Sequence, residues 1–152
     1  MKKTVSLVLV LSMIAAVVIG FGTAENAQTL SNTEKALALI NTFATGDTDT
    51  ARNLLADGYI QHNLAYGTGA DAFIGSVEYL ASAEVKTTVN NIRAFEDGDK
   101  VFLQTIYNFA GAGEQVAFDI FRFDGDGKIA EHWDVMETIA DQSTWQNQNG
   151  KF

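Results

Sequence analysis

Asp119-Ile-Phe-Arg-Phe-Asp-Gly-Asp-Gly-Lys-Ile-Ala-Glu-His-Trp-Asp134 is the stretch that decides the fold. Two alternating runs flank the turn at 124–127, the pattern of a β-hairpin closed on glycine and aspartate. A four-residue loop over 124–127 and a two-residue loop at Gly125 and Asp126 give the same register, in which Asp119 faces His132. The hairpin before it reads the same way. A loop over 110–113, or a tighter one at Gly111 and Ala112, sets Gln104 opposite Asp119. Side chains alternate across a strand, so Phe102, Gln104, Ala117, Asp119, Phe121, Ala130, His132, Asp134 and Met136 are expected on one sheet face. The other face would carry Leu103, Val116, Phe118, Ile120, Ile129, Trp133 and Val135, interrupted by Arg122 and Glu131. One face is thus almost wholly apolar, while the other mixes hydrophobes with Gln104, Asp119, His132 and Asp134, as the wall of a ligand cavity does. For a carboxylate among Phe102, Phe121 and Ala130, lost hydration works against the charge and a neighbouring imidazolium works for it. The sequence leaves that balance open, and a solvated cross-strand Asp–His pair worth at most about 1 kcal/mol is the plainer alternative.

Working outward, the chain divides into helices followed by strands. Ser31-Asn-Thr-Glu34 has capping-box spacing, and Ala36, Leu37, Leu39, Ile40 and Phe43 give the helix behind it one apolar face, closed by Gly46. A short helix is expected over 48–55, stopped by Asp57-Gly58, and it leads into Tyr59-Ile-Gln-His-Asn63. Phe73, Val77 and Leu80 mark a third helix over 71–83. Strands are expected over 87–96, 100–108, 114–124 and 128–137, broken by glycine-containing turns. This order is α+β, with an antiparallel meander covered on one face by the N-terminal helices. The segment 141–151, rich in Gln and Asn, reads as a loosely held tail.

The N-terminus has two lysines, an apolar run from Val5 to Phe21 and small residues at 22–24, as a secretory signal cleaved after Ala24 would. An uncleaved anchor is the competing reading, since the run is 17 residues long and about 17 to 25 are needed to span a bilayer. The 128 residues that follow suit one domain with one core. They hold eight basic and 19 acidic residues, a formal charge of −11, which argues against nucleic acid and anionic membranes as partners. With no cysteine, the chain has neither disulfides, thiolate metal sites nor a cysteine nucleophile. Asp124-Gly-Asp-Gly127 has some of the spacing of a calcium loop, but Lys128 stands where an oxygen ligand is required, so a hairpin turn is the better reading. His62 and His132 lack the spacing of a metal pair, and no metal or cofactor is expected.

Tyr59-Ile-Gln-His-Asn63, Asp119-Ile-Phe-Arg-Phe123 and Gly127-Lys-Ile-Ala-Glu-His-Trp-Asp-Val135 together resemble the SnoaL-like branch of the nuclear transport factor 2-like superfamily over roughly residues 34–137. The resemblance implies a cone-shaped α+β barrel in which a strongly curved antiparallel sheet wraps a long helix around a deep apolar pocket. It implies a range of activities, from cofactor-independent polyketide cyclases to isomerases, hydrolases and proteins without known activity. It makes Asp119 the counterpart of the cyclase acid/base and Asp134 that of a carboxylate in related epoxide hydrolases. It places Tyr59, His62 and Asn63 at the pocket mouth. Two positions depart from the family pattern: Gln104 replaces a common histidine, removing a proton carrier but leaving a donor able to polarise a carbonyl, and Leu64 replaces a proline.

The expectation that follows is an exported enzyme in which Asp119 abstracts a proton next to a carbonyl of a small apolar substrate. His132 or His62 would handle the enolate or the returning proton, Asp134 would assist, and Tyr59, Asn63, Phe102, Gln104 and Phe121 would contact the ligand. The alternatives are a non-catalytic small-molecule binder with the same cavity and a dimeric interaction module. A homodimer through the apolar sheet face is expected, without stable membrane insertion once the signal is cleaved.

Overall fold

The computed structural model describes residues 30–152. The apolar N-terminal run and the cleavage site after Ala24 lie outside them. Helix α1 (Asn32–Thr45) starts on the expected capping box: Ser31 Oγ accepts from the Glu34 amide, and the Glu34 carboxylate accepts from the Ser31 amide at 2.8 Å. Ala36, Leu39 and Ile40 are buried, at about 1.5–3 kcal/mol for each of the two larger side chains. Gly46, at φ 74°, closes the helix in the left-handed conformation. Helix α2 (Thr48–Leu54) follows on an Asp47 cap, and α3 (Ala70–Ser82) buries Phe73, Ile74 and Val77.

Helix α2 ends at Leu54, earlier than expected, and strand β1 (Leu55–Gln61) begins at once, through the Asp57-Gly58 pair read as a helix stop. The remaining strands are β2 (Thr88–Asp97), β3 (Lys100–Asn108), β4 (Glu114–Phe123) and β5 (Ile129–Thr138), in the sheet order β1-β5-β4-β3-β2. The sheet is therefore mixed rather than wholly antiparallel, because β1 runs parallel to β5 along one edge. Helices α1 and α3 contact the sheet through β2, β3 and β1, and the core lies between them.

The two decisive hairpins differ from expectation in opposite ways. Between β4 and β5 the loop has five residues, and Ala130 is an extra residue where Arg122–Phe123 meets Ile129–Glu131. Together these shift the register by two, so Asp119 faces Asp134 and Phe121 faces His132. An even shift leaves the faces unchanged. Upstream of the extra residue, however, Ile129 turns into the core, fully buried, instead of outward as the alternation predicted. Between β3 and β4 the loop also has five residues, 109–113, with Ala110, Gly111 and Gly113 all at positive φ. That one-residue shift turns β3 over relative to β4. Leu103, Thr105 and Tyr107 join Asp119 on the inner face, while Phe102 and Gln104 lie on the outer face with Phe118, Trp133 and Val135.

The turn at 124–128 uses the Asp124 carboxylate itself: Oδ1 accepts from the amides of Asp126 and Lys128 at 3.0 and 2.9 Å. The C-terminal segment is held rather than loose. It forms a 3-10 turn (Gln142–Thr144), Lys151 pairs with Glu137 at 2.7 Å, and Gln104 Nε2 donates to the Lys151 carbonyl at 2.8 Å.

Candidate active site

A cavity of about 650 Å³ opens between α1, α3 and the inner sheet face. Its walls are mainly aromatic and aliphatic, with Phe43, Phe73, Phe109, Phe121 and Leu80 among them; Tyr66, Ser76 and Tyr79 add polar atoms, and a hydrogen-bonded polar cluster forms part of the lining. There β4 supplies Asp119, β5 supplies His132 and Asp134, β3 supplies Tyr107 and β1 supplies Gln61. Asp119, Tyr107 and His132 are 3%, 2% and 6% exposed. His132 Nε2 lies 3.1 Å from Asp119 Oδ1, and the Tyr107 hydroxyl donates to Asp119 Oδ2 at 2.9 Å. On the far side of the imidazole, Gln61 Nε2 lies 3.0 Å from His132 Nδ1. Phe121 stacks on the His132 ring at a centroid distance of 4.4 Å and an interplanar angle of 8°. Asn63 Nδ2 donates to Asp134 Oδ1 at 2.7 Å.

Two carboxylates directly opposite across β4 and β5 repel each other, and the surrounding donors offset that repulsion. Asp119 has the phenol of Tyr107, and Asp134 has the amide of Asn63. Burial pushes the Tyr107 hydroxyl well above the ordinary tyrosine value, and the Asp119 charge adds to that. Tyr59 is raised for the same reasons, burial first and then the charges of Asp134 and Asp119.

Of the residues singled out in the sequence, Asp119, His132, Asp134 and Phe121 come together at the cavity. Asn63 reaches it through Asp134. Tyr59 packs edge-on against Phe73 behind it, with its hydroxyl 3.3 Å from Gln61 Nε2. His62, Phe102 and Gln104 are not there. Gln104 and Phe102 were turned outward by the β3–β4 loop. His62 lies on the outer side of β1, where it stacks on Trp133 at 4.4 Å and meets Glu131 Oε2 at 2.9 Å. Glu131 also accepts from Arg122 Nε at 2.7 Å, and the His62 and Arg122 contacts, in that order, hold its carboxyl below the usual glutamate value.

Sequence reasoning missed Tyr107 and Gln61. Tyr107 was hidden by the one-residue register error. Gln61 follows from alternation along 59–63, which sets Tyr59, Gln61 and Asn63 on one side and Ile60 and His62 on the other. Among the described residues, Asp119, His132 and Asp134 are the one group whose donor atoms, all within 4.8 Å of one another, have the composition of a divalent-cation site. The His62 amide donates to the His132 carbonyl at 2.9 Å, but its ring lies on the other face against Trp133 and Glu131, so the two imidazoles do not combine.

A family model of the SnoaL-like domain matches residues 36–132. No protein of curated function matches the sequence. Solved structures similar to this one include an NTF2-like protein of unknown function from Cytophaga hutchinsonii, at 16% identity and a TM-score of 0.62, covering 73% of this chain and 94% of that one. An LEH-like epoxide hydrolase from M. tuberculosis has 19% identity and a TM-score of 0.61, with 70% and 82% covered. IdmH of Streptomyces antibioticus, a candidate polyketide cyclase, has 19% identity and a TM-score of 0.57, with 71% and 93% covered. At these identities the likeness establishes the NTF2-like α+β fold and nothing finer.

Proposed function

This chain belongs to the SnoaL-like domain family, and from that premise we propose that its cavity takes a small apolar carbonyl compound and moves a proton on the adjacent carbon. The observation that carries the reading is the Asp119–His132–Asp134 cluster on the wall of a mainly apolar cavity. The proposal gives the proton-taking role to Asp134 rather than Asp119. Both Asp119 oxygens already hold donors, whereas among the described residues the Asp134 carboxylate has only Asn63, on Oδ1. Asp134 Oδ2 would take the proton from carbon while the electron pair moves onto the carbonyl oxygen. Where a double bond is conjugated with it, the enolate then takes that proton back from Asp134 at the γ-carbon, an isomerisation; otherwise it attacks a second carbonyl, an aldol closure in which the new alkoxide takes the proton from Asp134. Asp119 and Tyr107 hold the imidazole in place. Fold relatives that include an epoxide hydrolase and a candidate cyclase support catalysis in a cavity of this kind.

The second reading, a non-catalytic binder, is favoured by one observation: among the described residues no buried side-chain polar atom lacks a hydrogen-bond partner. Incubation in heavy water with a panel of hydrophobic ketones and β-diketones separates the two. The wild type is expected to place deuterium next to the carbonyl of at least one compound, and Asp134→Asn to slow that by about 100-fold or more. Compounds that raise the melting temperature but exchange no faster than in buffer alone would leave only the binding reading.

The N-terminal apolar run supports the further proposal that the domain is exported and acts after cleavage near Ala24. Among the described residues no helix is long and apolar enough to cross a membrane. Phe118 and Val135, 54% and 73% exposed on the outer sheet face, support pairing with a second copy.

A further inference from the structure

We infer that Gln61 is a positioning residue that fixes the tautomer of His132 and thereby keeps the Asp119–His132–Asp134 cluster a proton-handling site rather than a cation site. The argument starts from a group whose role is not adjustable. The Asn63 backbone amide can only donate, and it lies 2.9 Å from Gln61 Oε1. The carboxamide oxygen is therefore pinned to that amide, and the NH₂ end faces His132 Nδ1 at 3.0 Å and the Tyr59 hydroxyl at 3.3 Å. Rotating the carboxamide by half a turn would set its NH₂ against the Asn63 amide, donor against donor.

With an NH₂ donor on it, His132 Nδ1 must be the unprotonated nitrogen, so the ring proton sits on Nε2 and is donated to Asp119 Oδ1 at 3.1 Å. Metal-ligating histidines have the opposite arrangement. The nitrogen aimed at the cation carries the lone pair, and the other N–H donates to a carboxylate or carbonyl. Here the lone pair points away from Asp119, toward Gln61. The donor set is present but its imidazole faces the wrong way electronically, and the reason lies in one side chain on β1.

The proton-handling role rests on the reaction proposed above, whereas the tautomer and the poor fit to a cation do not, and their test needs no substrate. The chain has only two histidines, so long-range ¹⁵N–¹H spectra of labelled protein resolve both rings, and a His62→Gln variant assigns them. In the wild type, His132 is expected as the Nε2–H tautomer in excess of the other by roughly tenfold or more. Gln61→Met removes the donor while keeping the length, and should give a mixture of tautomers. Gln61→Glu offers an acceptor to Nδ1–H, frees Nε2, and should tighten Co(II) binding, read from the cobalt absorption bands, by roughly 10- to 100-fold over wild type. A wild-type His132 found as the Nδ1–H tautomer would overturn the inference even if neither variant folds. So would a wild-type His132 whose resonances respond to Co(II) as strongly as those of the Gln61→Glu protein.

Discussion

The Tyr107 hydroxyl donates to Asp119 Oδ2 at 2.9 Å, so the β3 side chain that reaches the central carboxylate is a phenol and not the Gln104 amide. Both groups are almost fully buried, and the carboxylate has the imidazole on its other oxygen. A buried carboxylate is tolerated when donors converge on it, and this pair is half of that arrangement.

Tyr107→Phe removes one of those donors without opening a large cavity. It should destabilise the fold by about 1–3 kcal/mol in urea titrations, and a loss near zero would mean that the phenol is not Asp119's partner in solution. The same group sets an alkaline limit. Its folded value lies above the unfolded value of 10, so the stability it contributes is complete below pH 10 and is lost as the pH climbs beyond it, because the unfolded chain gives up the proton first. Tyrosinate absorbance from Tyr107 should appear only together with loss of the circular-dichroism signal, and the Phe variant should decline less steeply.

On the acid side the outer-face cluster sets a second limit. Glu131 is held below its ordinary value of 4.5 by His62 and then Arg122, so its contribution is present above pH 4.5 and fades as the pH falls through the lower folded value. Glu131→Gln should flatten the fall in melting temperature below pH 4.5. An unchanged acid profile in that variant would show that the His62–Glu131–Arg122 contacts carry no proton linkage.

Gly46 and Gly58 should respond oppositely to the same change. At Gly46 the backbone is left-handed, at φ 74°, and an added Cβ would come within 2.8 Å of the Ala81 Cβ on α3. Gly46→Ala should cost more than about 1 kcal/mol. At Gly58 nothing lies within 4 Å of an added Cβ and φ is not positive, so Gly58→Ala should change stability by no more than about 0.5 kcal/mol. Thermal denaturation of the two variants side by side decides the matter.

The helices, the caps of α1 and the four later strands were readable because each is announced locally, by the Ser31–Glu34 box, by Gly46 and by alternation between glycine turns. What failed was counting across turns. The β4–β5 register moved too, but a longer loop and an extra Ala130 shifted it by an even number, so the face assignment held and Asp119, His132 and Asp134 stay on one face. The β3–β4 register moved by an odd number, since Ala110 takes a left-handed conformation that its side chain does not advertise, and Gln104 went to the wrong side. Strand β1 was missed for a different reason. Its partner lies about seventy positions away and runs parallel, so nothing in the local pattern of 55–61 reveals the pairing.

That strand forms the sheet margin, and its pairing with β5 is broken between Leu55 and Ile60. Gln61 and Asn63, which steer His132 and Asp134, therefore hang on the least continuous ladder in the domain. Breathing of this margin would uncouple the Asp119–His132–Asp134 corner while β2 to β5 stay zipped, so amide hydrogen exchange at 59–62 should outpace that of β3 and β4, and loss of the proposed deuterium exchange in mild denaturant should precede global melting.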